Sequence, residues 1–408
     1  MKIVLLTLGT RGDVQPYAIL GKAFKDRGHE VILSTGKNFQ SLAQEYGIEF
    51  VPVKADFQQL VNSPEGKAMM KNPFTARKHF KTVVQPMMVD ALKGFYEISK
   101  SCDYVLYHVK SLADYFADQF PEKMIRANVV PAVHRTSRFP NPVFSGLALP
   151  AFLNRFTYKL SDLGLAMMNN AVKQFRESNN LKPLLPKRLK LPGIYGISEA
   201  VLPMPDDYPD NIRFTGFWYG SGGQALDPEV VTFLSNGRKN VLVTFGSMAF
   251  ETKFDLAKSL AAISKRLGVN VIVVKGWGFE NINFAESPSI KMIDAAPFDK
   301  LFPLVDAVVF HGGIGTMAEC FRAGVPFMTC PVIYPMGDQH FWGKRAYELG
   351  CAPMPIPLKR LDEQVLEQKI SGLLSSESMK SNCKKIARLL ALENGSSNAA
   401  TFVETLQT

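Results

Sequence analysis

Unbroken apolar runs alternate with helical periods along most of the chain, and that alternation sets its first division. Residues 2–8 form one apolar run, and a glycine-containing loop follows over 9–16. Tyr17, Leu20, Ala23 and Phe24 then recur at helical spacing, Gly28 and His29 close that helix, and 31–34 start a second run. The order is strand, loop, helix, strand. Strands that are apolar at consecutive positions suit a parallel sheet covered on both faces. Further strands are predicted at 47–53, 105–108, 124–133 and 195–202. A second series occupies 241–244, 269–275, 290–293, 306–310 and 327–332, with helices predicted over 316–322, 363–374, 378–392 and 397–406.

Between the two series lies a stretch rich in Pro, Asp and Gly, read as a linker over 206–227. A chain of 408 residues exceeds what one hydrophobic core usually supports. The expected class is α/β, with two Rossmann-like domains: an N-terminal one over 1–205 and a C-terminal one over 228–395, followed by a last helix at 396–408. Two segments are less regular. The segment 56–86 mixes Met69, Phe74 and Phe80 with lysines and arginines and leads on to Met87; it fits a lid over an apolar ligand or helical core packing. The apolar stretch 144–156 runs into an amphipathic helix through Phe175 and is expected to cover the first sheet, the alternative being contact with a lipid surface or an oily substrate.

Composition narrows the classes. Hydrophobic residues make up 46% and charged ones 21%, which describes a globular protein. The formal net charge of +10 favours anionic partners such as a nucleotide or an acidic membrane, or is a solvated basic surface. Five cysteines lie apart without a C-x-x-C pair, which fits reduced thiols and neither a disulfide framework nor a zinc site. No apolar run reaches the length of a membrane span, and residues 1–13 read as a first strand and its loop, so the expected location is cytoplasmic, with peripheral contact at the inner membrane face left open. A monomer that binds no metal and no nucleic acid is expected.

The candidate chemistry concentrates in 306–342. An apolar strand ends at His311, Gly312, Gly313 and Gly315 follow, and a helix begins near Thr316. Such a turn points backbone N–H groups at an anion, and glycines let a phosphate come close. Glu319 lies two helical turns beyond His311, where a carboxylate could accept both ribose hydroxyls. Asp338 and Gln339 follow the next strand, where a carboxylate beside an amide suits vicinal hydroxyls of a hexose. At the other end of the chain, TLGTRGDV at 7–14 places Asp13, a carboxylate well suited to an N-cap, directly before the first helix. A dinucleotide site is disfavoured there, because Gly9 and Gly12 lack a third glycine and Ser34, Thr35 and Gly36 end the second strand without an acid.

His311, Gly313, Thr316, Glu319, Pro326, Pro331, Asp338 and Gln339 together resemble the donor signature of the GT-B nucleotide-sugar glycosyltransferases. Gly337, Asp338 and Gln339 running into Phe341 and Trp342 look most like the branch of sterol glucosyltransferases and bacterial enzymes acting on lipophilic aglycones. The resemblance implies two domains facing each other across a cleft, with the last helix crossing back to the first. It implies an inverting, metal-independent transfer of a hexose to a hydroxyl of a sterol, terpenoid, flavonoid or polyketide, with Asp13 as base. Ser247, in an F-G-S triplet, would approach the donor phosphates, and backbone groups near Ala296 would hold the base. UDP-glucose is the favoured co-substrate, but the tryptophan and glutamine of the plant pattern are replaced by Ala295 and Phe298, which leaves the base, and so a dTDP-sugar, open. Arg11 and Gly12 are read as support for phosphate or for Asp13. The acceptor side is assigned to His108, His134, Phe144, Met69 and Met87. The rivals are an epimerase of the same fold and a lipid-intermediate transferase of envelope synthesis.

Overall fold

In a computed structural model the chain forms two parallel sheets with a deep cleft between them; residues 1–55, 79–183, 189–220, 223–246, 250–276 and 287–406 are described, with Gln59, Ser63, Phe279 and Ile282 besides. The first sheet contains β1 (Lys2–Leu6), β2 (Glu30–Gly36), β3 (Glu49–Val53), β4 (Tyr104–Tyr107), β5 (Met124–Asn128), β6 (Gly193–Tyr195) and β7 (Ile212–Phe214). Their order is β3-β2-β1-β4-β5-β6-β7. The second contains β8 (Asn240–Thr244), β9 (Asn270–Val274), β10 (Ile290–Ile293), β11 (Ala307–Phe310) and β12 (Phe327–Thr329), in the order β10-β9-β8-β11-β12. Every pairing between these strands is parallel.

Side chains alternate across each sheet, and both faces are filled. Ile3, Leu5, Val31 and Leu33 pack against Val14, Tyr17, Leu20 and Phe24 of the helix Arg11–Asp26. Val4, Leu6, Ile32 and Val105 pack on the opposite face against Leu92 and Phe95 of the helix Gln85–Ser99 and Phe175 of the helix Asn169–Ser178. Each fully buried Leu or Phe contributes roughly 1.5–3 kcal/mol, which is why the strands need no polar alternation.

Both sheets reverse direction in the same way. In the first, β1 lies between β2 and β4; in the second, β8 lies between β9 and β11. The carboxyl ends at such a reversal leave a crevice for ligand. The two crevices open into one cleft. The helix Gly395–Thr405 buries Ala399, Ala400 and Val403, and its Glu404 pairs with Arg27 and His29 at the end of the helix Arg11–Asp26, at 3.1 and 2.8 Å. Elsewhere Arg345 Nε donates to the Val201 carbonyl at 2.6 Å and Gly337 N to the Val143 carbonyl at 2.8 Å, joining the two halves.

Several predicted elements differ. The strand expected at 195–202 ends at Tyr195, and β7 lies inside 206–227, the stretch read as linker. Three residues flanked by Asn and Thr carry too little periodicity to be seen in sequence. The run 124–133 stops at Asn128, shortly before Pro131, which has no N–H for a ladder. The stretch 144–156 is not a buried cover: Phe144 is buried, but Phe152 is 83% exposed and Phe156 49%, because Thr157 and Tyr158 supply the inward face of the helix Asn154–Leu165. Among the described residues no helix is long and apolar enough to cross a membrane.

Candidate active site

The first crevice is built from the loops that leave β1 and β4. Residues 7–10 carry the chain out of β1, and Thr10 caps the helix Arg11–Asp26, so the N-cap is Thr10 and Asp13 sits three positions inside, closing a capping box. Asp13 Oδ2 accepts from Thr10 N at 2.9 Å and from Thr10 Oγ1 at 3.3 Å. The other oxygen, Oδ1, accepts from Lys110 Nζ at 2.6 Å. Gly9 has φ +137°, and a Cβ there would lie 2.2 Å from Asp13 Oδ2, so only glycine lets the loop fold over this carboxylate.

Burial in the cleft pushes the Asp13 carboxyl up, but the Lys110 ammonium, His108 and the hydrogen bonds from Lys110 and Thr10 outweigh it and hold the group below the ordinary carboxylate range. Arg11, read as the residue that might serve Asp13, is exposed and donates instead to Gln15 Oε1 at 2.9 Å. Lys110 fills that role. It had no motif around it; the one hint was its place two residues beyond His108, at the end of an apolar strand. His108 itself is buried against Tyr17, its Nδ1 has no partner among the described residues, and burial lowers its pKa to about 4.

The second crevice is built from the loops that leave β8 and β11. His311 follows β11, and the helix Ile314–Ala323 starts directly after Gly313. Glycines hold the imidazole on two sides: a Cβ on Gly313 would lie 2.4 Å from His311 Nε2, and one on Gly246, beyond β8, 3.1 Å from Cε1. Gly312, at φ +97°, is buried under the Gln339 carbonyl, which a Cβ would meet at 2.8 Å, so it brings the next helix close and does not line the cleft. Burial lowers the pKa of His311 to about 4, and its Nδ1 is buried with no partner among the described residues. A neutral imidazole with an unpaired nitrogen stands at the N-terminus of a ten-residue helix, whose backbone N–H groups and dipole favour an anion.

Further along that helix, both hydrogen bonds from Arg322 fall on Glu319 Oε2, and none among the described residues reaches Oε1. Burial pushes the Glu319 carboxyl up against the opposing effect of Arg322. Asp338 precedes the helix Gln339–Glu348 without capping it through its side chain, so its carboxylate remains in the cleft. Burial and Asp13 raise its pKa, and Lys110 opposes them. Gln339 is partly spent on the protein: Oε1 accepts from Val332 N at 2.7 Å and Ile333 N at 3.2 Å, which fixes the loop before the helix and leaves the amide nitrogen as its donor toward the cleft.

The cleft measures about 3530 Å³, enough for two substrates together, since one ligand of drug size occupies roughly 300–1,000 Å³. Asp13, Gly12, Arg11 and His108 line it from the first sheet, and Ala296, His311, Gly313, Gly315, Thr316, Glu319, Asp338 and Gln339 from the second. Ser247 and Met69 lie outside the described residues. Three assignments to the acceptor side change. Phe144 is buried and does not line the cleft. Met87 packs on the core beneath the first sheet and does not line the cleft, whereas its neighbour Met88 packs on the same core and lines the cleft as well. His134 reaches the cleft wall but is held by Tyr195, with Nδ1 2.7 Å from the phenol oxygen. Phe80, Val84, Met88, Leu112 and Met168 add apolar side chains to the lining of the cleft from its first half.

Residues 3–98 match the glycosyltransferase family 28 N-terminal domain. A sterol 3-beta-glucosyltransferase of Sclerotinia sclerotiorum is 28% identical over 97% of this chain, and the chain spans only 28% of the length of that relative. Two solved structures cover almost the whole chain: CalG4, the calicheamicin glycosyltransferase, with TM-score 0.74 at 18% identity over 99% of this chain and 98% of its own, and the glycosyltransferase VinC in complex with dTDP, with TM-score 0.69 at 15% identity over 100% of both. The chain therefore has the fold of these glycosyltransferases, two facing parallel-sheet halves, and is similar over most of its length to sterol 3-beta-glucosyltransferases.

Proposed function

We propose that this chain is an inverting, metal-independent glycosyltransferase that moves glucose from UDP-glucose to a hydroxyl of a lipophilic acceptor of the sterol class. The observation that carries the reading is the meeting of unlike chemistries in one cleft: Asp13 from the first sheet, and His311 with the N-terminus of the helix Ile314–Ala323 from the second. The diphosphate would lie on that helix end, with His311 donating one N–H, Glu319 Oε1 accepting from the ribose, and Asp338 and the Gln339 amide holding sugar hydroxyls. Asp13 would take the proton of the acceptor hydroxyl as its oxygen attacks the anomeric carbon from the face opposite the leaving group. The bond from that carbon to the phosphate oxygen breaks, its electron pair leaves with UDP, and the configuration inverts. Charge growing on the leaving diphosphate would be met by fixed backbone dipoles, which cost no reorganisation at that moment.

The apolar side chains that the first half contributes to the cleft and the similarity to sterol 3-beta-glucosyltransferases support an oily acceptor. Binding of dTDP by VinC supports a nucleoside diphosphate as leaving group and keeps dTDP-glucose in the test. Incubation with UDP-glucose or dTDP-glucose and cholesterol, read by mass spectrometry, should give the sterol carrying one hexose from the UDP donor. Calorimetric binding of UDP without product from any of a panel of sterols and other aglycones would leave a binding protein and end the proposal.

A further inference from the structure

The ion pair between Lys110 and Asp13 raises a difficulty for a base, because both oxygens of the carboxylate are already occupied, Oδ2 by Thr10 and Oδ1 by Lys110. An acceptor hydroxyl that gives up its proton to Oδ1 must share that oxygen with the ammonium or displace it. The ammonium has somewhere to go. Asp338 lines the same cleft from the other half, and the Lys110 charge acts on it as well, while the direct contact of the ammonium, at 2.6 Å, is with Asp13. Lys110 is on the short turn Val109–Ser111 after β4, with its side chain 54% exposed, so it can swing without disturbing the core.

We propose that Lys110 is a positioning residue of the reaction: its ammonium pairs with the Asp13 carboxylate, keeps Asp13 ionised while the acceptor place is empty, and passes toward Asp338 when an acceptor hydroxyl takes Oδ1. The inference rests on the reading of Asp13 as base. Its chemical content is a charge balance. Carboxylates that line one cleft raise each other's pKa, and a nearby cation offsets that effect. Lys110 supplies that cation, and no proton is transferred to or from it. In turnover the acceptor proton goes to Asp13 Oδ1, which neutralises that carboxylate, and the ammonium then pairs with Asp338 alone. On product release the proton leaves Asp13 for solvent and the ion pair of Lys110 with Asp13 is restored. The other groups facing Asp13 are Thr10 of its own helix, Tyr17, which is neutral, and His108, which burial keeps neutral at pH 7. None of them can replace the ammonium.

The test is the acid limb of kcat/KM for the acceptor, with UDP-glucose saturating and cholesterol as acceptor. Wild type should lose less than about threefold between pH 8 and pH 5. In Lys110→Met the burial of Asp13 is no longer offset, so its pKa rises, the acid limb moves to higher pH, and the variant should lose about tenfold or more over the same range. Lys110→Arg should restore the wild-type profile. Adding Asp338→Asn to Lys110→Met should move the limb back toward lower pH, since one of the two repelling carboxylates is gone. A second measurement needs no substrate: the His108 ring, which titrates near pH 4 because burial disfavours its charge while Asp13 raises it and Lys110 lowers it, should titrate at higher pH in Lys110→Met when followed by NMR. A wild-type acid limb together with an unchanged His108 titration in Lys110→Met would overturn the inference. Asp13→Asn separates the two claims: if it keeps turnover, the base assignment fails, whereas an inactive Asp13→Asn beside a Lys110→Met of unaltered profile removes Lys110 alone.

Discussion

The two crevices share a backbone plan and differ in what fills it. Each lies where a sheet reverses, between the loops leaving two adjacent strands, β1 and β4 in one case and β8 and β11 in the other. The first is filled with side-chain charge: a carboxylate, an ammonium and a capping threonine. The second is emptied by glycines around one neutral histidine. A phosphate needs room and backbone N–H groups, which glycine provides, while a proton acceptor needs a fixed carboxylate, which a capping box holds in place. The same fold therefore yields a place that binds and a place that reacts, and the difference lies in a few residues at strand ends.

Removing the reacting group should give the largest effect and the cleanest separation. General base assistance is worth typically about 10²–10⁴-fold, so Asp13→Asn should lower kcat by that order while UDP affinity, measured by calorimetry, stays within about twofold of wild type. Equal loss of UDP binding and turnover would mean that the two crevices are not separate in function. The converse variant, His311→Ala, should weaken UDP binding and also lower kcat, by about 10²–10³-fold, the order seen when one donor to a developing anion is removed. A smaller effect is expected from Gly313→Ala. The new Cβ would lie 2.4 Å from His311 Nε2 and must displace the ring, so UDP affinity should fall about tenfold with the base untouched.

This comparison was unevenly legible in the sequence. The strands of both sheets could be read because parallel strands covered on two faces must be continuously apolar, and β7 was lost because three residues are too few to show a pattern. The second crevice was visible as well, since phosphate cradles demand glycines at fixed spacing and glycine is conspicuous. The first was half visible. Asp13 stood out in its loop, but Lys110 did not, because a lysine after a strand is ordinary until folding brings β1 and β4 side by side. Helix faces were the weakest part. Met87 and Phe144 were assigned to the acceptor side on character alone, and a shift of one residue round a helix places Met88 there instead. The contact of Arg322 with Glu319 follows from helical spacing and could have been anticipated; the pairing of Gln339 with Val332 and Ile333 needed the fold.

The smallest expected effect concerns the two histidines, one in each crevice. Burial lowers both pKa values to about 4, against about 6.5 in the unfolded chain. The unfolded state thus binds protons first as pH falls, so stability is lost on acidification through the range between those values and is fully present above it. Each histidine should cost about 1 kcal/mol between pH 7.5 and pH 5.5, measured by denaturant unfolding. A ligand distinguishes them. UDP bound at the helix Ile314–Ala323 would place negative charge beside His311 and none beside His108, which already faces Asp13. Saturating UDP should therefore remove roughly half of the acid sensitivity, and His311→Gln should abolish that protection. If UDP leaves the pH dependence of stability unchanged, the diphosphate does not lie against His311, and the division between a binding crevice and a reacting one fails.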